Sequence, residues 1–490
     1  MNQNMQQGLS DICATELSDK PEEKALSFAP YRSTLTMLLS AVFWTLVGTA
    51  VFFALFAVLA PEKDPFETLL ASSFAGVCGV LVSSLWLSRF KGYRFFLLLI
   101  ITAYILRVLV GVFLYLDVKD KNYFQGNGRY PVLAKDNEFY WTYDYVTIAA
   151  DTLSHRNINL TKAHDIKKED KNVNIHVWMG AFMAVGESRH ALDLAPFNAF
   201  HHAVAGILVI ALALACGYPL RVSLWSGALI AWIPWGFPAS MMWRDSVGFL
   251  WVVLAVVLLC IGRELGVMGS LSFAIPASFL AWSNRSPYFM AIVLITVLSI
   301  LYDQRKSSEQ STSRLPRLIL LLTFLLIGLF VFKNQISLLA FSKHQGQVSS
   351  GSMSSRLLMS PLLLLRALAG PFPWFVGSKY DTAVLFDYIF HVFQFAVFLI
   401  YVAKWRIIKS RITLLTYAAA IFWVFGFIAG GVHTSYLAVA APFVLPPVLD
   451  TGASFWKYLL VSVLCFVIGN VAYISLGLVG SGYVLGTTGY

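Results

Sequence analysis

The chain has 490 residues, of which 58% are hydrophobic and only 13% charged, with a mean hydropathy of +0.69. Soluble domains lie nearer ~45–50% apolar and ~25% charged, so the composition excludes a soluble enzyme, a disordered chain and a disulfide scaffold. An outer-membrane barrel, built from alternating strands, would not give such long unbroken apolar runs. What remains is an all-α polytopic protein that crosses a bilayer many times.

The formal charge of +10, from 36 Lys plus Arg against 26 Asp plus Glu, is assigned to topology. Cations gather in cytoplasmic loops and fix the orientation of membrane proteins, and no nucleic-acid partner is expected. Cys13, Cys78, Cys216, Cys260 and Cys465 are scattered without CxxC or metal-ligand spacing, so no metal site is expected from them.

Residues 1–33 are polar and read as a cytoplasmic tail without the basic start and cleavage site of a signal peptide. Apolar runs follow at roughly 35–60, 67–88, 94–116, 197–216, 222–241, 246–262, 267–283, 286–302, 317–334, 384–403, 412–430, 433–449 and 457–478. Most approach the ~20 residues that a spanning helix needs, which predicts about 12–13 transmembrane helices. The organisation is then N-terminal helices at 34–116, a first external loop at 117–196, central helices at 197–334, a second external loop at 335–383 and C-terminal helices at 384–490.

Short basic connections test that count. Arg89, Lys91 and Arg94, then Arg221, then Arg263, then Arg305, Lys306, Arg314 and Arg317, then Lys404, Arg406, Lys409 and Arg411 all fall on one side if every run crosses once. The two long loops fall together on the other side. The first is neutral, with nine acidic and nine basic residues from Asp117 to Lys171. Large loops gathered on one face suit a site at the membrane surface.

The densest chemistry lies in Lys135-Asp136-Asn137-Glu138-Phe139-Tyr140-Trp141-Thr142-Tyr143-Asp144-Tyr145. From Asp144 on, Val146, Ala149, Ala150 and Leu153 recur at helical spacing, which predicts an interfacial amphipathic helix. Asp136 and Glu138 precede it, where a carboxylate suits a helix start and could serve as general base toward an attacking hydroxyl. On the same predicted face stand Arg244, Arg285 and Arg366, guanidinium groups able to clamp a phosphate bidentately. Arg107 is the clearest charge inside an apolar run, and His201, His202, His391 and His433 lie in or near such runs. A satisfied core histidine is the simpler reading of the first three, whereas His433, near the external end of its run, is kept as a substrate contact.

The Asp136…Tyr140 "D-x-x-x-Y" pattern in the first external loop resembles the GT-C superfamily of integral-membrane glycosyltransferases, which includes protein O-mannosyltransferases and the aminoarabinose transferases of lipid A. Trp243-Arg244-Asp245-Ser246-Val247, Ser283-Asn284-Arg285-Ser286-Pro287-Tyr288 and the Arg366…Gly370-Pro371-Phe372-Pro373-Trp374 stretch are similar to further segments of bacterial members. The resemblance implies inverting transfer of a sugar from a polyprenyl-phosphate donor to a hydroxyl of a glycan, lipid or protein acceptor. It places the protein in a bacterial inner membrane, in contact with membrane lipids, with its active site on the periplasmic or external side. It assigns catalysis to Asp136, or Glu138 in its stead, donor phosphate binding to Arg244, Arg285 and Arg366, and substrate contacts to Tyr140, Asp245 and His433. The cofactor stays open, a divalent cation included. The pattern departs from the family in two ways: the loop follows the third run rather than the first, and the paired "D-E" is split by Asn137, which leaves the base open between Asp136 and Glu138. The alternatives are a surface-polysaccharide polymerase or ligase, resting on Arg356, Arg366 or His344, and a lipid or solute transporter.

Overall fold

In the computed structural model the described residues are 31–60, 64–120, 146, 149–150, 173–188, 190–233, 245–284, 286–306, 382–410, 413–430 and 438–475. Among them every regular element is helical: α1 (Thr34–Leu59), α2 (Pro65–Ser83), α3 (Tyr93–Asp120), α4 (Val173–Val185), α5 (Leu194–Ala215), α6 (Leu220–Trp232), α7 (Asp245–Glu264), α8 (Gly266–Asn284), α9 (Ser286–Lys306), α10 (Thr382–Ala403), α11 (Trp405–Ser410), α12 (Leu414–Gly430), α13 (Ala441–Leu449) and α14 (Phe455–Ser475). Short 3-10 turns cover Leu85–Arg89 and Ala191–Asp193. Among the described residues six helices, α1, α2, α3, α5, α7 and α8, are long and apolar enough to cross a bilayer. The chain is an all-helical, multi-pass membrane protein.

Local sequence explains where the helices start and stop. Ser33 accepts the Thr36 N–H at 3.1 Å to open α1, and Asp64 accepts those of Phe66 and Glu67 at 2.9 and 2.8 Å to open α2. Such caps satisfy donors that the first turn leaves without a helical partner. The central helix α5 closes on Gly217 at φ +81°, with Tyr218 N donating to Ala213 O (3.1 Å) and Gly217 N to Leu214 O (2.9 Å). This is the left-handed glycine stop, which a Cβ would disfavour.

Helix α5 is the hub. Every residue from Leu194 to Leu214 is buried, and α1, α2, α3, α6 and α7 all pack on it. Close approach is bought with glycine where it meets α6: a Cβ on Gly206 would stand 2.7 Å from the Gly227 carbonyl oxygen. Between bilayer lipids of equal apolarity, such small-residue contacts supply the packing that joins helices.

The ends of the helices sort as the basic residues predict. Arg89, Lys91 and Arg94 lie between α2 and α3, Arg221 opens α6, Arg263 closes α7, and Lys404, Arg406 and Lys409 follow α10. Tyr31 Oη donates to Trp86 O (2.7 Å) under the Arg89 guanidinium, Phe96 meets Trp225 at 5.2 Å, and Tyr218 Oη shares a hydrogen bond with Thr413 Oγ1 (3.1 Å). We refer to this as the basic end.

Three features depart from the expected runs. The run read as 222–241 is not one helix, since α6 stops at Trp232 and Ile233 turns extended. Pro234 is the cause, because a proline pushes the preceding residue out of the helical region. Within the run read as 433–449, Val439 and Ala440 form a turn before α13 starts at Ala441, with Pro442 in its first turn, where a missing N–H costs nothing. Finally, α4 was not expected within the first external loop. Its Ile175, Met179, Phe182 and Met183 are buried, and Phe182 stacks on Phe56 of α1 at 4.3 Å.

The amphipathic segment after Asp144 is met in part. Positions 146, 149 and 150 are helical, with Val146 and Ala150 buried. They press on α4, where a Cβ on Gly180 would come within 2.6 Å of Ala149 Cβ. The apolar side of this segment therefore faces protein at these positions.

Candidate functional site

Of the predicted site residues, Asp136, Glu138, Tyr140, Arg244, Arg285, Arg366 and His433 lie outside the described residues, as do Arg356 and His344. Asp245 is the first residue of α7, and Arg285 falls between the last residue of α8 and the first of α9. What the structure describes is the helical body and the polar groups buried in it.

These groups gather toward the end opposite the basic one, around the first half of α5. Asp193, in the turn that leads into α5, is fully buried. Its carboxylate accepts hydrogen bonds from Ser72 Oγ of α2 (3.3 Å) and, at short range, from Ser188 Oγ. Burial outweighs the help of these hydroxyls and of Thr68, and pushes its carboxyl up to about 6. It therefore titrates near neutral pH rather than in the ordinary carboxylate range. The turn that carries Ser188 is itself tight: Glu187 sits at φ 50°, a left-handed conformation uncommon outside glycine.

Two turns of α5 then carry His201 and His202 to different neighbours. Trp178 Nε1 of α4 donates to His201 Nε2 (2.8 Å), so His201 Nδ1 holds the proton and donates to Phe197 O (2.7 Å). Both ring nitrogens are engaged within a cluster of Phe52, Phe53, Phe182 and Phe197, which makes His201 a satisfied core residue. His202 lies flat on Phe249 of α7, with centroids 4.8 Å apart, and its Nε2 bonds to Ile230 O (3.0 Å).

Arg107 of α3 completes this region and has no exposed surface. Its Nε donates to Ala231 O (3.0 Å) and its Nη2 to Ile233 O (2.6 Å). With His202 on Ile230, three carbonyls at the end of α6 are met by side chains from α3 and α5. A helix that stops leaves its last carbonyls without partners, and its negative dipole end favours a cation. Arg107 and His202 thus hold α6 where Pro234 ends it.

Asn198 lies one turn before His202. Its side chain is buried, and neither amide atom has a hydrogen-bond partner among the described residues. Sequence reading singled out the histidines and Arg107 but neither Asp193 nor Asn198. The signal for both was a polar residue at the head of an apolar run, which by itself also fits a helix cap. The described residues hold no group of three or more His, Cys, Asp or Glu that could bind a metal ion.

Comparison of the chain with protein-family models, with curated proteins and with solved structures gives no match.

Proposed function

We propose that the protein is an integral-membrane glycosyltransferase that moves a sugar from a polyprenyl-phosphate donor to a hydroxyl acceptor at the end of the helical body opposite its basic end. The observation that supports this reading is where the first external loop joins the helical body: segment 121–172, which carries Asp136 and Glu138, follows α3 at the end opposite the basic one and precedes α4. Arg107, His201 and His202, buried in the same half, are accounted for by the fold. In this reading Asp136 deprotonates the acceptor hydroxyl, with Glu138 as the alternate, while Arg244, Arg285 and Arg366 hold the donor phosphate and stabilise it as it departs.

The test is sugar transfer in isolated membranes, with a panel of polyprenyl-phosphate sugars labelled in the sugar. Asp136→Asn should insert at the wild-type level and lose transfer by about 10²–10⁴-fold, the usual contribution of a general base. Wild-type activity in both Asp136→Asn and Glu138→Gln would sink the assignment. Loss confined to Arg356, Arg366 or His344 variants would instead favour a polymerase or ligase.

A further inference from the structure

Two cysteines far apart in the sequence meet at the basic end. Cys216 is the C-cap residue of α5, and Cys260 lies near the end of α7. These helices pack together, with His202 stacked on Phe249 near their heads and the Cys260 thiol hydrogen-bonded to the Cys216 sulfur near their tails. Both are free thiols, whereas Cys78 and Cys465 lie on other helices, α2 and α14.

A third helix closes on the pair. Tyr218 Oη shares a hydrogen bond with Thr413 Oγ1 (3.1 Å), which sets the turn after Cys216 against the start of α12. The backbone N–H of Leu415, the second residue of α12, then reaches the Cys216 sulfur. A first-turn N–H has no helical partner of its own, and a helix start favours negative charge. Arg263, one turn past Cys260 on α7, adds a cation nearby. The Cys260 hydrogen bond foremost, with Arg263 and Leu415, outweighs burial and the opposing charge of Glu264 and holds the Cys216 thiol below its ordinary value. Cys216 is half-buried and Cys260 is buried. Gly217 beside it and Arg221 just beyond are exposed, so a reagent approaching the basic end meets Cys216 first.

We propose that Cys216 and Cys260 form a modification site, a reactive thiol and its resolving partner, whose substrate is a low-molecular-weight disulfide such as oxidised glutathione. The Cys216 thiolate attacks one sulfur of that disulfide, its S–S bond breaks and one glutathione thiolate leaves. Cys260 then gives up its proton and attacks the Cys216 sulfur, which releases the second glutathione and leaves a Cys216–Cys260 disulfide. The protons of the two cysteines end on two glutathione thiols, so one disulfide is reduced as another forms. Closing a thiol–thiol hydrogen bond to the ~2.05 Å of a disulfide takes rotation of side chains that already face each other. The new bond joins α5 to α7 at the basic end, and it does not depend on the glycosyltransferase reading.

The experiment incubates the full chain in detergent with oxidised glutathione near neutral pH, quenches by alkylation and maps the cysteines by peptide mass spectrometry. Wild-type protein should yield the Cys216–Cys260 disulfide before Cys465, which is exposed on α14, takes up glutathione. Cys260→Ser should stop at glutathione on Cys216, and Cys216→Ser should lose both the disulfide and any glutathione adduct on Cys260. Wild-type protein in which Cys216 and Cys260 stay alkylated while Cys465 takes up glutathione overturns the proposal, and that result needs no variant to fold. Glutathione that remains on Cys216 in the wild type refutes Cys260 as its resolving partner. Glutathione uptake by Cys260 at the same rate in Cys216→Ser overturns Cys216 as the attacking thiol.

Discussion

Arg107→Lys isolates what the guanidinium does at the end of α6. Arg107 donates from two nitrogens to two carbonyls, Ala231 O at 3.0 Å and Ile233 O at 2.6 Å. The fork of the guanidinium spans acceptors that a single ammonium, on its shorter stem, cannot meet together. Lysine keeps the charge and therefore keeps the burial cost of that charge, which cancels in the comparison. Among the described partners, what remains is one lost charge-assisted hydrogen bond and one carbonyl left unpaired in the interior, about 1.5–3 kcal/mol. At ~1.4 kcal/mol per factor of ten, the unfolding equilibrium moves roughly 10- to 100-fold. Arg107→Met removes both bonds and the charge, so its loss of carbonyl partners is partly offset by the relief of burying a cation, some 2.5–3.5 kcal/mol at a bilayer centre. Equilibrium unfolding in mixed micelles of increasing SDS fraction reads both, with tryptophan fluorescence as the probe. Trp232, at the last turn of α6, reports locally because its indole N–H donates to Leu99 O of α3 (2.8 Å). The expected result is a clear loss for lysine and a smaller or equal loss for methionine. If Arg107→Lys is as stable as wild type within about 0.5 kcal/mol, the usual scatter of neutral substitutions, then the guanidinium does not hold α6 and the reasoning fails.

Two further outcomes follow from the same half of the molecule. Burial raises Asp193 to about 6, above its unfolded value near ~3.9, so the folded state binds the extra proton between these two pH values. Stability from this group is full below the unfolded value and is lost as pH rises through about 6. A wild-type curve measured from pH 4 to 7 should fall more steeply than that of Asp193→Asn, and parallel curves would refute the assignment. Gly206→Ala should destabilise by about 1–3 kcal/mol, the usual range for overpacking, because its Cβ would stand 2.7 Å from the Gly227 carbonyl oxygen. Unchanged SDS unfolding of Gly206→Ala would show that α5 and α6 can part without loss.

The sequence makes the helical class and the sorting of basic residues legible because both depend on composition over whole segments. A span needs ~20 apolar residues, and Arg89, Arg221, Arg263 and Lys404 each sit where one ends. Hydropathy is blind to where the backbone stops hydrogen-bonding. The run at 222–241 is continuous in hydropathy, yet α6 ends at Trp232. Pro234 signals that end in the sequence, but the partners that make it stable, Arg107 and His202, come from 124 and 28 residues away. Helix α4 was missed for the reverse reason. At Val173–Val185 it is shorter than a span and follows the charged stretch Lys167-Lys168-Glu169-Asp170-Lys171, so its apolar face is hidden among loop signals. Asp193 and Asn198 carry only the signal of a polar residue at the head of an apolar run, whose meaning depends on what lies opposite.

That last point separates two kinds of buried polarity in the head of the bundle. A helix that stops inside an apolar body must have its carbonyls met there, because no water is available to meet them. Arg107 and His202 answer that demand on Ala231, Ile233 and Ile230, and His201 closes its own account with Phe197 and Trp178. Their polarity follows from the fold, so their retention says little about chemistry. Asn198 answers no backbone group among the described residues. Replacing the first kind should lower stability whatever the protein does, whereas replacing Asn198 with leucine should leave stability intact or raise it. The opposite signs of the two effects make stability a means of telling the buried polar side chains that the fold requires from those it does not.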